Sequence, residues 1–217
     1  MSFSAAVTLT GTLVTLEPLR LDHADELATA VQDGRLHELW YTRVPSPEAM
    51  HDDVAARLAQ HAAGRVVPWV VRRNADGAAL GVTTFLNIRE ENRRLEIGST
   101  WIAASAQGTG VNAQAKLLQL THAFETLGCI AVELRTHWHN HRSRRAIAAL
   151  GAKQDGVLRN HDVWRDGSVR DVVVFSIIDR EWPTVRLGLT ERLRALGALT
   201  TTPPTSQLVD RPTARWP

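Results

Sequence analysis

Between residues 69 and 102 three apolar, β-branched segments are separated by only two short polar turns, and this restricts the fold more than any other feature. Residues 69–73 run into Asn74-Ala75-Asp76-Gly77, a set of turn formers suited to a tight reversal. Residues 79–88 are the return segment, the charged stretch 89–94 reverses the chain again, and residues 95–102 form a third strand. Turns this short join antiparallel neighbours, because a parallel connection needs a crossover of a dozen or more residues. The region is expected to be an antiparallel meander at the centre of a sheet.

Around it the apolar spacing switches between the two periods. Residues 6–20 alternate, with Val7, Leu9, Leu13, Val14 and Leu16 among Thr and Gly, and read as a strand pair or one broken strand. Asp22 stands where an N-cap belongs, ahead of Leu27, Ala30 and Val31 at helical spacing. Ser46 as cap and Pro47 at the first position predict a second helix, with Val54, Leu58 and His61 on one face. After the meander come a loop over 103–110, a long helix over 112–127 stopped by Gly128, and a strand over 129–136. Asn140 caps a helix to Leu150, residues 153–165 and 169–178 form a hairpin across Asp166-Gly167, and residues 181–196 are helical in pattern. The order ββ-α-α-βββ-α-β-α-ββ is an α+β (mixed α/β) arrangement around one sheet. A chain of 217 residues suits a single core, so one domain is expected over 1–197, followed by a Pro/Thr-rich tail over 198–217 that reads as loose.

No apolar run approaches the roughly 20 residues of a membrane span, and the first residues lack the basic and apolar regions of a signal peptide. The one cysteine, Cys129, gives no internal disulfide and fits a reducing compartment. In an apolar strand it reads as a small buried hydrophobe rather than a nucleophile. A cytoplasmic protein with no membrane partner is expected. The sequence pI near 9.2 accompanies a formal charge of only +2, since few side chains titrate between about pH 7 and 9, so no nucleic-acid footprint is read from it.

The chemistry concentrates in Gln107-Gly108-Thr109-Gly110-Val111-Asn112, which joins a strand to a helix. Two glycines let backbone N–H groups turn toward one point, where the helix N-terminus adds partial positive charge, and a pyrophosphate suits such a place. The alternative is a loop whose glycines serve only the turn. A P-loop is excluded, because Val111-Asn112 stands where Lys-Ser or Lys-Thr is required. Gly108, Gly110 and Ala113 match the dinucleotide fingerprint formally, but five residues separate the first glycine from its strand, and Glu133 lies inside a strand rather than at its end. A second helix start, at Asn140-x-x-Ser143, follows the next strand. If the strands ending at Trp101-Ile102 and Thr136-His137 lie side by side and splay, they leave a slot for an extended ligand arm. His137, His139 and His141 alternate as metal ligands can, yet they straddle a junction and lack a nearby carboxylate or cysteine, so no metal is expected.

Residues 96–178 resemble the RimJ/RimL-type branch of the GNAT N-acetyltransferases. The resemblance rests on Glu96-Ile97-Gly98, the Gln-Gly-Thr-Gly loop, the helix ending Ala123-Phe124-Glu125-Thr126-Leu127-Gly128 and Asn140-x-x-Ser143. Leu150-Gly151-Ala152, the segment 155–159, Asp166-Gly167 and Asp171 extend it, and 13–19 is similar to the family's opening strand. Asn112 departs from the pattern, standing where the family usually has Gly or Ala. What the resemblance implies is a GNAT acyl-CoA N-acyltransferase fold, with a mostly antiparallel twisted sheet of about seven strands flanked by helices. It also implies acetyl transfer from acetyl-CoA to a primary amine by direct attack through a tetrahedral intermediate, with CoA as product.

On that resemblance the pantetheine arm runs along Trp101, Ile102 and Ala103, residues 107–112 hold the pyrophosphate, and Asn140 contacts the pantetheine. Arg145 or Lys116 is implied to meet the adenosine phosphates, Lys116 lying one turn beyond Asn112; its alternative is a solvated surface lysine. Ser143 is implied as the acid for the departing thiolate, with Asp162 or Glu96 as base. Trp40, Tyr41, Trp69 and Trp164 are candidates for an aromatic acceptor pocket, with core packing as the plainer reading of Trp69. The acceptor remains open between a protein N-terminus and a small-molecule amine. A non-catalytic CoA-binding or interaction module and a dinucleotide-dependent enzyme are the other readings. A homodimer is compatible with the sequence, dimers being the commonest oligomers.

Overall fold

The computed structural model describes residues 2–164 and 166–199, so the expected tail lies almost wholly outside the described residues. In chain order the elements are β1 (Leu9–Thr10), β2 (Val14–Pro18), α1 (Ala24–Gln32), α2 (Met50–Ala62), β3 (Val67–Arg73), β4 (Ala79–Arg89) and β5 (Arg94–Ile102). They continue with α3 (Val111–Thr121), β6 (Ala131–His137), α4 (His141–Ala148), β7 (Lys153–Val163), β8 (Val169–Ile178) and α5 (Trp182–Ala195). The strands form one eight-stranded sheet in the order β1-β2-β3-β4-β5-β6-β8-β7, the opening segment resolving into two strands rather than one. Every neighbour pair is antiparallel except β5 with β6, which α3 connects as a crossover. Among the described residues no helix is long and apolar enough to cross a membrane.

The sheet is covered on both faces. Leu16, Trp69, Phe85, Ile97, Leu134 and Phe175 pack toward α3, α4 and α5, within a core that also holds Leu120, Ile147 and Leu189. On the other face Val70, Val82 and Trp101 meet Leu27 and Val31 of α1 and Met50 and Val54 of α2. Strand β3 is buried without interruption from Val67 to Val71, as a central strand sandwiched between layers must be. Gln114 of α3 ties the first turn to this core: its Oε1 accepts from Leu13 N–H and Val14 N–H, and its Nε2 donates to the Thr12 hydroxyl.

Three local expectations shift. Asp22 sits in a tight turn (Leu21–His23), paired with Arg20, and α1 begins only at Ala24. Ser46 opens a turn closed by Ala49 N–H on its carbonyl, which delays α2 to Met50. The helix expected over 112–127 ends as α-helix at Thr121 and continues as a π-helical turn, His122–Thr126, before Gly128 stops it.

Two features of β5 open the site. It pairs with β6 only at Arg94↔Ala131, Leu95↔Val132 and Glu96↔Glu133, after which the strands separate. On its other edge Val82 faces Trp101 while Thr84 faces Gly98, so β5 carries an extra residue, and Ser99 there adopts φ 44°. Such a bulge sharpens strand twist and bends β5 away. Gly81 makes the close approach possible, since a Cβ there would sit 2.0 Å from the Trp101 carbonyl oxygen.

Candidate active site

The divergence of β5 and β6 leaves a cleft of about 860 Å³ running from the N-termini of α3 and α4 to the loop after α1 and the β7–β8 hairpin. At its α3 end, Gly108 (φ 81°) and Gly110 (φ 95°) turn the chain, and Gly110 caps the helix without any side-chain acceptor. Among the described residues the backbone N–H groups from Gly108 to Ala113 make no hydrogen bond, as expected at an uncapped helix start. A Cβ on Gly108 would meet nothing within 4 Å, so the mouth of the cradle is open. Gln107 donates from Nε2 to the Ile102 carbonyl (2.6 Å), leaving its Oε1 buried without a partner. Unpaired N–H groups, a helix dipole and open space together fit a pyrophosphate. Gln107, Gly108, Gly110 and Asn112 border the cleft. Thr109 turns its hydroxyl to the Ala106 carbonyl, and the Val111 side chain enters the core, so these two offer backbone only.

At the start of α4, Asn140 Oδ1 accepts from Ser143 N–H (3.0 Å), the capping contact expected from the sequence. Asn140→Ala is expected to lower stability by about 1 kcal/mol in urea unfolding, the usual cost of losing such a cap. Arg142, Ser143 and Ala146 border the cleft, whereas Arg145 is exposed and does not. At about 100° per residue, Arg145 points well away from that face. The cations at this end are Arg142 and, from α5, Arg192.

Lys116 corrects both sequence readings. It is 4% exposed, neither a phosphate-reaching nor a solvated lysine, and its Nζ donates to Thr83 Oγ1 (2.8 Å), Thr100 Oγ1 (3.0 Å) and Gln119 Oε1 (2.9 Å). Burial pulls its pKa down to about 7. Ala103 is also corrected as a backbone partner for a ligand. Its N–H is taken by the Leu80 carbonyl and its carbonyl by Ala106 N–H. Trp101 and Ile102 do border the cleft, Trp101 with its indole N–H buried and unpartnered.

Glu96 lies at the opposite end, 5% exposed on β5. Its Oε2 accepts from Asn87 Nδ2 (2.7 Å) and stands 3.4 Å from Arg135 Nε. Burial pushes the carboxyl pKa up, against the pull of Asn87 and Arg135, and the nearby Glu133 adds to the rise. Asp162 on β7 also borders the cleft, 3.9 Å from Arg43.

The aromatic candidates divide. Tyr41 borders the cleft. Trp40 is 63% exposed outside it, packed edge-on against Tyr41 and His137. Trp69 is wholly buried against Phe85 with its indole N–H on the Val7 carbonyl, so it belongs to the core and not to an acceptor pocket. Trp164 borders a second, adjacent cavity, with Arg43 and Arg170 over its ring at 4.5 and 3.8 Å. His137 Nδ1 accepts from His139 N–H (3.0 Å), and among the described residues no group of three His, Cys, Asp or Glu side chains is placed to hold a metal. Cys129 is buried, its thiol pushed up to about 12. Sequence reasoning passed over Asn87, Arg135, Arg170 and Arg192. The alternation Glu133, Arg135, His137 along β6 carried a signal for one of them, since it puts three polar side chains on one face.

A profile of the acetyltransferase (GNAT) domain matches residues 14–153. The chain is similar to a candidate acetyltransferase of T. thermophilus, at 32% identity over 86% of this chain and 96% of that one, TM-score 0.75. It is similar to a GCN5-related N-acetyltransferase from Brucella melitensis, at 27% identity over 86% and 85%, TM-score 0.76. Mycobacterium smegmatis RimJ, solved with CoA-disulfide, shares the fold at 23% identity over 91% and 97%, TM-score 0.71. No curated protein matches.

Proposed function

The chain belongs to the GNAT acetyltransferase family and is an acetyl-CoA-dependent acyltransferase, and on that premise we propose that it acetylates a primary amine held at the Glu96 end of the cleft. The observation that carries this reading is the continuity of one cleft from the unpaired N–H groups of 108–113 to a buried carboxylate. Bound acetyl-CoA supplies an activated acetyl group as a thioester. The residues of the chain then have three tasks. The cradle, with Gln107, Asn112, Arg142 and Arg192 around it, holds the phosphates. Glu96 takes the proton of the amine, directly or through water, since a carboxyl with a raised pKa is a stronger base once ionised. Ser143 stands beside Asn140 as proton donor to the leaving thiolate, and Asp162 is the alternative base. The reading carries with it the RimJ/RimL-type branch, cytoplasmic residence and a single domain over 1–197.

The test is thiol release from acetyl-CoA across a panel of amines, read with ligand-induced thermal shift. Gly108→Val adds a branched side chain to the open cradle at a positive φ, and it is expected to weaken acetyl-CoA binding at least tenfold, a loss of about 1.4 kcal/mol. Unchanged binding would remove the phosphate site from this loop. Binding without thiol release from any amine would favour the non-catalytic module, a reading kept alive by Asn112 in the cradle.

A further inference from the structure

The acceptor end of the cleft holds four arginines, and their carboxylate partners are unevenly shared. Arg57 is paired with Asp53 at 2.6 Å, and Arg135 with Glu133 at 2.8 Å and Glu96 at 3.4 Å. Arg170 is different. It borders the cleft from β8, and its Nε and Nη1 are buried without a hydrogen-bond partner. Arg43 borders the same end, and both guanidinium groups lie over the Trp164 ring. Asp162 is cross-strand from Arg170 and 3.9 Å from Arg43, one carboxylate between two cations. Burial and the charge of Arg43 both disfavour the ionised form of Arg170. A buried guanidinium with idle donors is costly, and the fork of N–H groups it presents matches a carboxylate.

Resting on the acetyl-transfer reading above, we propose that the acceptor carries a carboxylate beside its amine, received by Arg170 and Arg43. The carboxylate belongs either to the same residue as the amine, as in a free amino acid, or to the next residue of a peptide. Two matched pairs separate these sources: leucine against leucinamide, and the peptide amide Ala-Glu-Ala against Ala-Gln-Ala. Each is titrated calorimetrically into the full-length protein saturated with CoA.

In one pair the carboxylate member is expected to bind at least tenfold more tightly, and the pair that shows it locates the carboxylate. Arg170→Met is expected to bring that member down to the affinity of its amide. Arg43→Met, at a more exposed position, should cut the preference about threefold. If Arg170→Met no longer takes up CoA, Arg43→Met decides: a reduced preference supports the site and a full one overturns it. Equal affinities within both pairs, or no binding by any of the four, also overturn it. The acetyl-transfer reading fails separately, if a carboxylate preference in binding coexists with no thiol release from any of the four or from benzylamine.

Discussion

Glu96→Gln is expected to lower kcat for amine acetylation by about two to four orders of magnitude, the usual contribution of a positioned general base, while acetyl-CoA binding stays at the wild-type level. The substitution keeps the size of the side chain, and its amide oxygen can still accept from Asn87 Nδ2, now 2.7 Å from Oε2. What it removes is the proton-accepting charge. Asp162→Asn is the contrast: if Glu96 is the base, that variant retains activity within about tenfold, consistent with loss of an auxiliary group. The pH profile adds a second signature. Because burial raises the Glu96 pKa, wild-type activity should begin to fall on acidification above the ordinary carboxylate value of 4.5, and this limb should vanish in Glu96→Gln. Stability moves the other way. A carboxyl whose folded pKa is raised favours the folded state at low pH, and that contribution is lost as pH rises through the folded value. The variant should therefore fold no less well at neutral pH. A Glu96→Gln enzyme within threefold of wild-type kcat would make Glu96 a structural partner of Arg135 and move the base to Asp162.

Much of this architecture was legible because local signals are strong where turns are short and helix starts are polar. The meander followed from Asn74-Ala75-Asp76-Gly77, the turn into α3 from Gly108 and Gly110, and the α4 cap from Asn140. The slot was legible too, since both strands end just before polar loops, although its opening depends on pairing that stops after three residues. What stayed hidden depends on contacts between distant segments. Nothing near Ser99 announces a bulge, which exists because β4 and β5 disagree in length between two registered pairs. Trp69 fits a pocket or, more plainly, a core, because an aromatic at a strand start suits both, and the sequence alone does not name its partner. Its N–H found Val7, 62 residues away. Arg170 and Arg43 come together through the shared Trp164 ring and Asp162, and no spacing in the chain encodes that.

Lys116→Met is expected to stabilise the protein at neutral pH by about 2–4 kcal/mol, since replacing a buried charge by an apolar side chain of similar shape is often favourable. The helical spacing was right: Asn112 and Lys116 both border the cleft. One turn carries the chain about 6 Å along the helix axis, and here it leads from the mouth to the floor. Moving the Lys116 pKa from 10.5 to about 7 corresponds to on the order of 4–5 kcal/mol of penalty on the charged form. The three acceptors around Nζ hold the lysine in place but do not reverse that cost. They also survive its removal, because Thr83 Oγ1 remains 2.8 Å from Thr100 Oγ1 and 2.9 Å from Gln119 Oε1. The pH dependence fixes the assignment. Between about 7 and 10.5 the unfolded chain keeps a proton on Lys116 that the folded protein releases, so wild-type stability should rise with pH through this window. Below about 7 both states are protonated and the full penalty applies. Cys129 opposes the trend above the ordinary thiol value of 9.0, because burial keeps its thiol protonated in the folded state up to about 12. Urea unfolding at about pH 7 and 8.5 therefore isolates the lysine: the wild type should gain stability across that interval and Lys116→Met should not. A methionine variant that is less stable than wild type, with the same pH slope, would show that the ammonium and its three hydrogen bonds hold β4, β5 and α3 together more strongly than burial opposes them.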